Sequence, residues 1–74
     1  MYESKAKRRR IELGQAIKAR REELGFSQYT LASLSNSGQS NIHRIEAGKV
    51  GAGIDKLVQI ADALEISLNE LIPF

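Results

Sequence analysis

An all-α domain of five short helices is what this 74-residue sequence predicts, and three observations carry the expectation. Apolar residues recur at helical spacing along the chain, with no β-type alternation, internal repeat or low-complexity run between them. Small polar residues and glycines fall at the ends of those stretches, where helices start and stop. Between Leu31 and Glu46 the chain reads LASLSNSGQSNIHRIE, two short apolar-periodic segments around the break Ser35-Asn36-Ser37-Gly38. A break of that composition turns a corner more readily than it continues a helix.

The first helix is expected from about Ile11 to Leu24, on Leu13, Ala16, Ile17 and Leu24, with Gly25 as its stop. Phe26 then plugs the core, and Ser27 caps a second helix over Gln28–Ser35. Asn36 stands where the turn needs a left-handed residue, a conformation Asn tolerates better than most. Ser37 or Gly38 caps a third helix over Gln39–Ala47, ended by Gly48. A glycine-rich loop, GKVGAG, leads to a fourth helix over Ile54–Leu64 with Ile54, Leu57, Ile60, Ala61 and Leu64 on one face. Ser67 and Glu70 form a capping box for a short fifth helix carrying Leu68, Leu71 and Ile72, and Pro73 stops it. The expected core is Leu13, Ile17, Leu24, Phe26, Leu31, Ala32, Ile42, Ile45, Ile54, Leu57, Ile60, Ala61, Leu64, Ile66 and Leu71.

The division expected is a basic N-terminal arm over residues 1–10, mobile or a frayed extension of the first helix, and one domain over residues 11–74. Net charge is only +2, but it is unevenly placed. Lys5, Lys7, Arg8, Arg9 and Arg10 face a single anion in the arm, whereas Lys56 faces Asp55, Asp62, Glu65 and Glu70 beyond residue 50. A basic front and an acidic back suit a molecule that meets a polyanion one way round. Without cysteine there is neither disulfide nor thiolate site, and one histidine makes no metal cluster or catalytic triad. No metal, cofactor, small-molecule ligand or membrane contact is expected, and no enzymatic activity. The expected compartment is the cytoplasm, or a bacterial nucleoid.

Two helices crossing over a tight turn make a helix-turn-helix, whose second helix lies in the DNA major groove. The stretch LGQAIKARREELGFSQYTLASLSNSGQSNIHRIEAGK, followed by KLVQIADALEISLNELI, resembles the Xre or Cro/repressor-type helix-turn-helix family, the lambda-repressor-like domains of phage and bacterial regulators. The resemblance covers about residues 13–72 and rests on R-E-E-L-G-F-S-Q, on L-A in the second helix, on I-x-x-I-E in the third and on L-x-x-I-A-x-A-L in the fourth. Three positions depart from the family pattern: Asn36 where Gly is usual in the turn, Ser37 where an apolar plug is usual, and Ala52 where the loop often has Pro.

The resemblance implies a sequence-specific regulator of transcription, most simply a repressor, that binds double-stranded operator DNA as a homodimer. A pseudo-palindromic operator follows from that symmetry. The alternative is an antitoxin-like or other protein-interaction module with secondary DNA binding. Gln39, Ser40 and Arg44 fall at the family's base-reading positions, and Asn41 and His43 beside them are further candidates for base contact that more readily face phosphates or the helix flank. Gln can bond adenine and Arg can bond guanine in bidentate fashion. Phosphate contacts are expected from Gln28, Tyr29 and Thr30, from Lys49, and from Arg9 and Arg10 of the arm. The resemblance also implies a partly buried ion pair between Arg21 and Glu46. Leu68, Ile72 and Phe74 exceed what one small core needs and are the expected dimer interface.

Overall fold

Ser4, Ser27 and Ser67 each open a helix by accepting a hydrogen bond from a backbone N–H of its first turn. The computed structural model describes residues 4–74. Its elements run α1 (Lys5–Glu23), α2 (Gln28–Leu34), α3 (Gln39–Glu46), α4 (Ile54–Ala63) and α5 (Leu68–Leu71), and no strand occurs among the described residues. At Ser67 the capping box is complete, and its hydrogen bonds hold the Glu70 carboxyl below the usual carboxylate range.

The first helix starts at Lys5, six residues before the expected Ile11. Residues 5–10 are therefore helical, and residues 1–3 of the expected arm lie outside the described residues. Lys, Arg and Ala are good helix formers, and nothing in this run breaks a helix. Tertiary contacts also support the extension. Ile11 lies so close to Gly48 that a Cβ there would meet Ile11 Cγ1 at 2.7 Å, and the Arg10 stem crosses Gly51.

Each of the four longer helices ends the same way. Residues Gly25, Asn36, Gly48 and Glu65 adopt positive φ. The next N–H in each case reaches back five residues: Phe26 to the Arg21 carbonyl, Ser37 to Ala32, Lys49 to Arg44 and Ile66 to Ala61, at 2.8–3.1 Å. This closure satisfies carbonyls that a helix end would otherwise leave open. At Glu65 (φ 62°) the side chain works against the backbone. Glu65→Gly should therefore stabilise the domain by about 1 kcal/mol. Thermal unfolding will read this as a rise of about 4–8 °C.

Leu13 and Ile17 of α1, Leu31 and Ala32 of α2, Ile42 and Ile45 of α3, Ile60, Ala61 and Leu64, and Leu71 of α5 form one buried cluster. Leu24, Phe26, Leu57 and Ile66 pack against it in part, as do Val50, Ala52, Ala63 and Ile72. Ile54, expected in the core, is instead 63% exposed. It shares the apolar period of α4 but is that helix's first residue, and it lies outside the cluster. α3 packs against both α1 and α2, while α4 packs on α2 and α5.

The turn between α2 and α3 is held by polar groups where the family pattern has an apolar plug. Ser35 is buried, and its Oγ donates to the Leu31 carbonyl at 2.7 Å. The Ser35 and Ser37 hydroxyls are hydrogen-bonded to each other at 3.0 Å. From α4, Lys56 Nζ donates to the Ser35 and Asn36 carbonyls at 3.2 and 2.8 Å. These bonds fix the corner from two sides, because α2 ends there with carbonyls needing donors. Gly38, not Ser37, is the cap residue of α3, and it contributes no side-chain bond.

Candidate nucleic-acid interface

Helix α3 has two unlike faces. Ile42 and Ile45 are buried at 0% and 2% exposure, whereas Gln39, Ser40, His43 and Arg44 are exposed and Asn41 is half-buried. Gln39, Ser40, His43 and Arg44 line a shallow surface hollow together with Gln28, the first residue of α2. The hollow thus collects two amides, a hydroxyl, an imidazole and a guanidinium. That mixture can donate to and accept from base edges, which is the chemistry of major-groove readout.

A buried network mounts α3 behind this surface. Arg21 of α1 grips Glu46 with both ends of its guanidinium, Nε to Oε2 at 2.7 Å and Nη2 to Oε1 at 3.0 Å. Its remaining nitrogen, Nη1, donates to the Phe26 carbonyl at 2.8 Å. The Glu46 carboxylate raises the Arg21 pKa above the ordinary arginine value, against the opposing effect of burial. Gln28 Nε2 donates to Glu46 Oε1 at 3.0 Å. A carboxylate only accepts, so the amide nitrogen must face it. The Gln28 carbonyl oxygen and one N–H then stay available to the surface.

A few ångströms from this network the backbones of α1 and α3 touch. Gly14 is buried, and a Cβ there would lie 2.5 Å from the Ile45 and Glu46 carbonyl oxygens. Only glycine fits such an approach. In the sequence Gly14 shows no role, since a glycine inside a helical pattern carries no sign of what it touches.

The remaining expected site residues are spread around this face and beyond it. Tyr29 is 69% exposed, and Thr30 is half-buried with its hydroxyl 3.0 Å from that of Ser27. Lys49 is exposed in the loop after α3. Arg10 packs across the same loop at Gly51, and its Nε is buried without a hydrogen-bond partner among the described residues. Arg9 is engaged within the protomer: it pairs with Glu12 at 3.0 Å and stacks over the Phe74 ring at 4.7 Å. Leu68 and Ile72 are half-buried, and Phe74 is 55% exposed. Among the described residues no group of acidic, His or Cys side chains forms a metal-holding cluster. No described helix is long and apolar enough to cross a membrane.

Comparison with known proteins places this geometry. A family model described as Helix-turn-helix matches residues 17–71. No curated protein sequence matches the chain. Among solved structures, the restriction-modification controller protein C.AhdI from Aeromonas hydrophila superposes with a TM-score of 0.82 at 32% identity, over 84% of this chain and 94% of that one. The clp gene regulator ClgR from C. glutamicum superposes with a TM-score of 0.80 at 24% identity, over 84% of this chain and 80% of that one, a likeness of fold alone. With one family model spanning α2 to α5 and the last two turns of α1, the chain belongs to the helix-turn-helix family of DNA-binding transcription regulators, of the Xre and Cro-repressor type its motifs resemble.

Proposed function

We propose that this protein binds a specific double-stranded operator as a homodimer and represses transcription by covering promoter DNA. In this reading α3 enters the major groove. The observation that carries it is the split of α3, with two isoleucines in the core and Gln39, Ser40, His43 and Arg44 outward beside Gln28. Gln39, Ser40 and Arg44 read base edges, with Asn41 and His43 at their margin. Gln28, Tyr29, Thr30, Lys49 and Arg10 meet the phosphates. Arg10 suits the task because its stem is anchored on Gly51, in the loop that also carries Lys49. Arg9 reaches a phosphate only by leaving Glu12 and Phe74.

One recognition helix spans too few base pairs to select an operator, so two copies act together on half-sites about 34 Å apart. Leu68, Ile72 and Phe74 at the C-terminal end are the proposed contact between copies. The 32% identity to a protein named a restriction-modification controller supports a regulatory role.

Selection of bound duplexes from a random pool tests the proposal. Enrichment of a two-fold symmetric sequence is expected, and no preference at moderate salt would refute it. On the selected duplex, Arg44→Ala or Gln39→Ala should cost about 1–3 kcal/mol and relax preference at particular base pairs. Lys49→Ala should weaken all duplexes equally and make the salt dependence shallower.

A further inference from the structure

We propose that the DNA-contact surface extends past α3 onto α1, where Lys18 and His43 hold a backbone phosphate over the end of α3. This rests on the reading of α3 as the DNA-facing helix and adds to it a cation that sequence patterning did not single out. A second hollow adjoins the one already described and shares Gln28 and His43 with it; its other lining residues are Lys18, Glu46 and Ala47. The two hollows therefore adjoin at Gln28 and His43, one on the N-terminal turn of α3 and the other on the side of α1.

The chemistry of this second hollow suits an anion. Lys18 is exposed and makes no ion pair among the described residues, so its ammonium has no competing partner. His43 offers a ring N–H in either tautomer, and Gln28 has one N–H to spare. The acidic group in the lining, Glu46, is neutralised by Arg21 at 2.7 Å and its side chain is only 4% exposed. Ala47 has no bulk to fill the space, and the α3 carbonyls that end there are taken by the N–H groups of Ala47, Gly48 and Lys49, which blunts the negative end of the helix. A compact ammonium beside ring and amide N–H donors binds a phosphate oxygen as a point charge, without reading sequence.

In this placement His43 serves the backbone and Arg44, next in sequence, serves the bases. Their losses should then differ in kind. The test measures affinity of the full chain against salt, for the best duplex from the random pool and for a scrambled one. Lys18→Ala should weaken both duplexes by the same factor and make the slope of log affinity against log salt shallower by about 0.9. The gap to wild type should then shrink by about 3.5-fold when salt rises about fourfold. Lys18→Arg should restore both values, because it keeps the charge. His43→Ala should also weaken both duplexes equally.

An unchanged affinity and slope for Lys18→Ala, while Arg44→Ala loses base preference on the same duplex, would overturn the proposal and leave the recognition role of α3 intact. A loss for His43→Ala confined to one base pair would overturn its assignment to a phosphate. Absence of any preference in the wild-type chain would instead remove the reading on which the proposal rests.

Discussion

Glu46→Ala should cost the domain about 3–5 kcal/mol, because it leaves the Arg21 guanidinium buried without its counter-charge. The same change strips Gln28 of the acceptor that orients it. A 74-residue domain has only about 4–11 kcal/mol of stability to lose. Urea unfolding should therefore show the midpoint falling by roughly a quarter or more, with the slope little changed. The ion pair itself is a different matter. Burying two charges costs nearly as much as their attraction returns, so a double change, Arg21→Met with Glu46→Leu, should be less destabilising than Glu46→Ala alone. If the double variant proves the weaker of the two, the loss does not come from a stranded charge. DNA affinity separates the two roles of the network, since the double variant keeps the fold yet leaves the Gln28 amide unoriented.

Gly14→Ala should damage the domain although it adds a single methyl group. Alanine would favour the helix by about 1 kcal/mol over glycine. Against that, the new carbon would sit 2.5 Å from two carbonyl oxygens and 2.8 Å from the Glu46 carbonyl carbon. All three are backbone atoms, which cannot rotate away as a side-chain tip can. Overpacking of this kind costs about 1–3 kcal/mol, and here the unyielding partners put it at the upper end. The clash prevails, giving a net loss of about 2 kcal/mol and a fall in Tm of about 8–16 °C. An unchanged or raised Tm would mean that α1 and α3 separate freely.

How much of this was legible in the sequence depends on where the determining contact lies. The ends of the helices were readable because each is set within a few residues: Ser27 at the start of α2, Asn36 at the corner, Gly48 after α3 and the Ser67–Glu70 box. The faces of α3 were readable because two isoleucines at i and i+3 leave the polar positions between them outward. What failed was non-local. Residues 5–10 have no apolar period, and the partners that support α1 there, Gly48, Gly51 and Phe74, lie about forty or more residues away. Ile54 obeyed the period of α4 but stands at its very start, outside the packed cluster. Lys18 looked like any solvated lysine, since only the fold brings it beside His43.

Bare peptide groups of α1 and α3 in contact at Gly14 leave no side chain whose size could reset the tilt of the reading helix. Evolution can therefore retarget this scaffold only by changing its alphabet, not its posture. New binding preferences have to come from exchanges at positions 39, 40 and 44, which are exposed and lie outside the buried cluster. A library randomised at those three positions should yield many different preferred duplexes while nearly every member melts close to the parent temperature.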